Sequence, residues 1–256
     1  MRFPEPHELP PEQYTWLRQA RTEYAAAALC SELLHWLHLL GVSPDTLQRC
    51  TRLVSDEVSH SLLSHELYQL AGGEPRAVPT PPQLLTHADD PDASTVWRCV
   101  TAAAELAIEE SVALPVFAAR LDNAGPEDVR ERIAQIHRDE AFHRAFAWDL
   151  VDELTEALGV DAMRAWITPR LPFWFRIYLR PRSLDHEPTY TDQQLAYGLI
   201  DRRQHWQLMQ ACARDVVFAR FVQRGLVEDG VTADVVAAEV ARRAQDAAAH
   251  PTPATG

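Results

Sequence analysis

The sequence predicts an all-α fold, four long helices packed as a bundle with additional C-terminal helices, and three observations predict it. Gly is scarce, 9 in 256 residues, while Ala, Leu, Glu and Arg are abundant, which is the composition of a helical chain. Apolar residues recur at three- and four-residue spacing over four stretches of about 30 residues, each ~45 Å long at helical rise. Short turns within two helix pairs and one long Pro-rich crossover between them are a four-helix bundle plan.

The elements follow in order. The first helix is expected from Pro11 to Leu40, stopped by Gly41. Ser43-Pro44-Asp45 supplies an N-cap, a first-turn Pro and an early acid, so the second helix starts at once and runs to Leu70-Ala71 before Gly72-Gly73. The crossover spans Glu74 to Asp92, with Pro75, Pro79, Pro81, Pro82 and Pro91. The third helix is expected from about Ser94 to Leu121 with a kink at Pro115, and the fourth from Gly125-Pro126-Glu127 to Gly159. Then come a short helix around Met163–Trp166 and the aromatic run Pro172–Leu179, in which Phe173, Trp174 and Phe175 read as packing or dimer contacts rather than a substrate box. A helix over Asp192–Gln223 and another over Thr232–Ala247 complete the chain. The expectation is one domain over 1–247, with a bundle core 11–158, covering helices 160–247 and a disordered Pro/Thr/Ala-rich tail 248–256.

Charge narrows the function. With 24 basic and 37 acidic residues the net charge is -13, which disfavours nucleic acid and anionic membrane as partners. No apolar run reaches a membrane span, and Met1-Arg2-Phe3-Pro4-Glu5 lacks the apolar stretch of a signal peptide. Cys30, Cys50, Cys99 and Cys212 are scattered without a CxxC pair, so they read as buried thiols of a cytoplasmic protein. Every basic residue is Arg and Asn123 is the single Asn; Lys and Asn depleted together read as codon usage rather than chemistry.

The chemistry lies in two motifs. Helix two contains Asp56-Glu57-Val58-Ser59-His60 and helix four Asp139-Glu140-Ala141-Phe142-His143, both DExxH and both near mid-helix. Residues three apart share a helix face, so Glu57 with His60, and Glu140 with His143, each present two ligands together. The stripes around them are apolar (Cys50, Val54 and Leu67 in one, Ile133, Ile136 and Leu154 in the other), which aims these acids inward. A carboxylate at mid-bundle is costly unless paired or coordinated. Roughly one or two acid-x-x-His matches arise by chance in such a composition, and Glu32…His35 is one; two full DExxH motifs at equivalent depth are not.

Two-fold symmetry asks for one more Glu on each partner helix. On helix one, Glu23 interrupts the apolar stripe Trp16, Ala20, Ala27, Cys30 and Leu37. Helix three offers Glu105, Glu109 and Glu110. Glu110 has the most apolar stripe, Glu105 matches the first hairpin's spacing, and Glu109 lies nearest the reflection of Glu140 across the turn at Ala124. Glu109 is taken as the ligand, with Glu105 and Glu110 as alternates. Four carboxylates and two histidines form an oxygen-rich set that favours two iron or manganese ions over zinc or copper.

With these residues in place, 12–158 resemble the ferritin-like di-iron carboxylate superfamily, whose oxygenases carry Glu…DExxH twice. Within it, Ile136-His137-Arg138-Asp139-Glu140-Ala141-Phe142-His143-Arg144-Ala145-Phe146-Ala147 is similar to the p-aminobenzoate N-oxygenase group, which has an extra His ligand one turn before the last Glu-x-x-His. His137 lies three residues before Glu140 where that group's His lies four before, a displacement of about 100° around the helix; it is a candidate third His ligand or a side chain outside the ligand set. The resemblance implies two Fe ions bridged by Glu57 and Glu140, with His60 and His143 on one ion each and Glu23 and Glu109 terminal. Asp56 and Asp139 would orient the ligand imidazoles. It further implies O2 as co-substrate, an electron donor, a small organic substrate (an amine oxidised at nitrogen or a hydroxylated carbon) and a homodimer. The alternative is ferritin-like iron handling or peroxide scavenging without an organic substrate. A tRNA-modifying hydroxylase is disfavoured by the charge, and a metal-free bundle by its six inward ligands.

Overall fold

The computed structural model describes residues 3–77, 93–180 and 189–249. The expectations for Pro79, Pro81, Pro82 and Pro91 and for the tail from 250 onward lie outside these residues. Among the described residues every regular element is helical.

The four long helices are α1 (Pro11–Leu40), α2 (Pro44–Leu70), α3 (Thr95–Asn123) and α4 (Glu127–Leu158). Gly41 closes α1 in the left-handed region at φ 70°, and Ser43 caps α2 by accepting from the Thr46 amide at 3.1 Å. Ser94 caps α3 in the same way through the Trp97 amide. The short turns lay α2 back along α1 and α4 back along α3, and the hairpins meet through α1 on α3 and α2 on α4.

Pro115 lies inside α3 and has no N–H for the Ser111 carbonyl four residues earlier. The Cys212 thiol donates to that carbonyl instead, at 3.1 Å. Cys212 belongs to the C-terminal part of the chain, where α5 (Val160–Ile167), α6 (Leu171–Trp174), α7 (Arg176–Leu179), α8 (Asp192–Ala196), α9 (Arg202–Ala211), a π-helical segment Cys212–Phe218, α10 (Ala219–Gln223) and α11 (Ala233–Ala249) follow one another. Met163, Phe175, Val217, Phe221 and Val240 extend the bundle's apolar core from this side.

The single helix expected over Asp192–Gln223 is therefore corrected. It breaks after Ala196, where Gly198 adopts φ 77° and a Cβ would lie 2.4 Å from Ile133 Cδ1. Trp16 Nε1 donates to the Tyr197 carbonyl at 2.8 Å and Asn123 Nδ2 to that of Leu199 at 2.7 Å, so bundle side chains hold the break open. Asp201 then caps α9, its carboxylate accepting from the amides of Arg203 and Gln204. The helix at 163–166 is longer than expected, and the last helix reaches Ala249, two residues into the stretch expected to be disordered. All four cysteines are free and buried, as expected. Of the aromatic run, Trp174 and Phe175 are buried and Phe173 is exposed.

Candidate metal centre

The bundle interior has two apolar clusters, one around Trp16, Leu67, Phe117, Ile133 and Ile136, the other around Cys30, Leu53, Ile108, Phe146 and the C-terminal helices. Between their levels, all four long helices place polar groups in the core. Glu23 of α1, Glu57 and His60 of α2, Glu110 of α3, and Glu140 and His143 of α4 are each at most 7 % exposed. Carboxylates sealed between apolar layers need a compensating partner.

The two histidines lie at the centre, their ring centroids 5.2 Å apart. His143 Nδ1 stands 3.0 Å from Glu57 Oε1 and 3.7 Å from both Glu110 Oε2 and Glu140 Oε2. His60 Nδ1 stands 3.6 Å from Glu140 Oε1 and 3.9 Å from Glu57 Oε1. Each of the overlapping triads Glu57–His60–His143 and Glu110–Glu140–His143 brings three donor atoms within 4.8 Å of one another. Glu57 and Glu140 thus each approach both imidazoles, as bridging carboxylates must. Glu23 is buried at the same level but outside both triads.

These groups fit a cation. Glu57 Oε2, Glu140 Oε2, His60 Nδ1 and His143 Nδ1 are buried and none has a hydrogen-bond partner; even the 3.0 Å approach of His143 to Glu57 lacks hydrogen-bond geometry. Four orphaned polar atoms meeting in one core are rare in proteins, and coordination to a cation would satisfy all of them. Electrostatics agrees. Burial, and then neighbouring carboxylates, push Glu57 and Glu140 well above the usual carboxylate range. Burial alone raises Glu110, but its contacts with Glu140 and His143 bring it below the ordinary value. Burial lowers His60; on His143 the three carboxylates Glu110, Glu140 and Glu57 outweigh burial and hold it strongly protonated. Without a metal, then, protons take the place of positive charge here.

The aspartates are crossed. Asp139 Oδ2 lies 3.4 Å from His60 Nε2, and Asp56 Oδ2 lies 3.3 Å from His143 Nε2, so each motif's Asp serves the other motif's His. A carboxylate oxygen accepts from a ring N–H, so Nε2 of each imidazole is engaged outward by an aspartate and Nδ1 is the nitrogen turned toward the glutamates. The contact expected between these aspartates and the motif histidines is therefore made across the helix pair.

Helix three requires a correction. Glu110, not Glu109, faces His143; Glu109 is exposed. The expectation used depth along the helix, where an error of one residue is only ~1.5 Å but turns the side chain by ~100°. Glu110's apolar stripe was the better guide: Cys99, Ala103 and Phe117 on it are buried. Glu109 is nevertheless pushed up to about 8, by desolvation first and then by Glu105 and Glu110. Glu105 is half-buried and raised by burial, outside both triads. His137 is half-buried and outside both triads, as is Glu32.

The sequence reading passed over three residues. Gln19 Nε2 donates to Glu23 Oε1 at 2.5 Å, and Gln19 Oε1 accepts from Arg120 Nη1 at 3.1 Å. Arg120 is buried, its guanidinium about equidistant from the Trp16 and Phe117 rings at 4.9 and 5.0 Å, and burial pulls it down to about 10. Burial likewise raises Glu23 to about 7 against its bond from Gln19. Gln19 sits four before Glu23, the spacing at which helix neighbours touch, and that was the signal available. Arg52, four before Asp56, is the third.

Comparison with family models, with curated proteins and with solved structures finds no match to this chain. The donor set alone carries the functional reading.

Proposed function

We propose that this chain is a ferritin-like di-iron carboxylate protein, an O2-activating oxygenase acting on a small organic substrate. The observation that carries the reading is the group of four orphaned donor atoms, on Glu57, His60, Glu140 and His143, buried between two apolar layers. Glu57, Glu140, His60 and His143 would hold the ions, with Glu23 and Glu110 supplying the further carboxylates. The oxygen-rich set favours iron, with manganese next. Bound iron would supply the one-electron steps that O2 needs and amino-acid side chains do not provide.

The chain's own residues do the rest. Asp139 and Asp56 keep the proton on the outer nitrogens of His60 and His143, so the inner nitrogens are free to bind. The apolar layers keep bulk water from the donors. Glu23 is buried at their level and is oriented by the amide of Gln19. Transfer of one oxygen atom to substrate, with the other leaving as water, takes two electrons and two protons from outside the substrate. An electron donor is therefore part of the reading.

The test is to load metal-free protein anaerobically with ferrous iron, admit O2, and follow the optical spectrum with and without candidate amines. The N-oxygenase-like segment at 136–147 makes amines the first class to try. Two irons per chain, a coloured oxidised species discharged faster by an amine, and an oxygenated product by mass spectrometry are expected. Two irons with an O2 reaction that no organic molecule affects would point to iron handling instead.

A further inference from the structure

Behind the two histidines the structure closes a ring that the metal reading does not require. Arg52 Nε donates to Asp56 Oδ2 at 3.2 Å, and Arg52 Nη2 stands 3.8 Å from Asp139 Oδ1. Its guanidinium lies over the Phe142 ring at 3.8 Å. The run His143–Asp56–Arg52–Asp139–His60 is thus continuous, and one cation on α2 touches the aspartates of both motifs.

The motif repeat has no second copy of this device. The position equivalent to Arg52 before Glu140 is Gln135, which is exposed, and the position equivalent to Phe142 before His60 is Ser59. The arginine comes from one hairpin and its aromatic seat from the other. Its side chain is 52 % exposed, where an ion pair adds little to stability. What it can set is geometry, since a planar fork fixes two carboxylates in direction as well as distance.

We infer that Arg52 is a positioning residue for the metal centre: by holding Asp56 and Asp139 together it orients both ligand imidazoles at once. The inference rests on the metal reading above, and the experiment separates the two. Arg49, one turn earlier on α2, is the matched control: it pairs with Asp149 of α4 at 2.5 Å and lies 5.1 Å from the Phe146 ring centroid, but neither carboxylate nor ring touches a histidine of the centre.

Cobalt(II) serves as probe in Arg52→Met, Arg49→Met and wild type, with affinity and visible d–d spectrum as readouts. Arg52→Met should weaken cobalt binding ~10–100-fold and shift the bands, while Arg49→Met changes affinity less than about threefold. Metal-free melting should be alike in both variants. In an Asp56→Asn/Asp139→Asn background, Arg52→Met should cost nothing further, because it acts through those two carboxylates. Equal effects of the two arginine variants, or an undiminished Arg52→Met penalty in the asparagine background, overturn the positioning role alone. A wild type that binds no cobalt overturns it together with the metal reading.

Discussion

The two sides of the centre are built differently. On α2 and α4 the candidate ligands repeat: Glu57 answers Glu140, His60 answers His143, and the aspartates cross so that each motif completes the other. On α1 and α3 the repeat is lost. Glu23 stands outside the two triads and is tied through Gln19 to the buried Arg120, whereas Glu110 contacts His143 directly. The symmetric half carries the two Glu–His pairs, and the asymmetric half gives those pairs different carboxylate neighbours.

The largest effects should come from the symmetric half. Glu57→Gln and Glu140→Gln each remove a carboxylate of the proposed metal set and should abolish metal uptake, more than about 100-fold in affinity. The same changes should leave the metal-free protein as stable or raise its melting temperature by a few degrees, since an uncompensated buried acid is replaced by a neutral isostere. Calorimetric melting with and without metal checks both signs. Equal losses of metal-free stability and metal binding would mean that these acids merely hold the fold.

Next in size is the comparison across one residue of α3. Glu110→Ala should reduce binding from two ions to one or none, and Glu109→Ala should leave the stoichiometry at two. Metal analysis after dialysis decides it, and a loss confined to Glu109→Ala would restore the reading from helix depth. Smaller again is the tether on α1. Gln19→Ala frees Glu23 and should weaken one of the two sites ~10-fold with the other unchanged, resolved as two steps in a calorimetric titration.

The smallest effect is in pH. Glu57, Glu140 and Glu23 have raised folded pKa values, Glu23 moving from the ordinary 4.5 to about 7. As pH rises through that interval the unfolded chain loses protons that the folded metal-free chain keeps, so their contribution to stability falls with rising pH. Metal takes over from those protons. The gain in melting temperature on adding manganese should therefore grow between pH 5.5 and 7.5, and a gain that is flat or shrinks would place the metal elsewhere.

The same contrast explains what the sequence disclosed. The four long helices were legible because Gly, Pro and Ser mark their ends, and α1 begins and ends where expected. The DExxH pair was legible because a three-residue spacing fixes a helix face without reference to any other helix. Glu110 was not, because its register depends on how α3 meets α4. Depth pointed to Glu109, and the apolar stripe pointed to the side chain that faces His143. The break at Gly198 was hidden for a similar reason: Ile133, Trp16 and Asn123, all distant in sequence, hold it. Arg52, Gln19 and Arg120 carried only an ordinary helical spacing or an apolar face, signals that surface and core residues share.

The central claim is that this interior binds a pair of metal ions. It is tested most directly by anaerobic equilibrium titration of the metal-free chain with ferrous iron, repeated on Glu57→Gln. The account predicts two ions per chain in the wild type and none in the variant. Iron uptake absent from the wild type, or the same in both proteins, would contradict it.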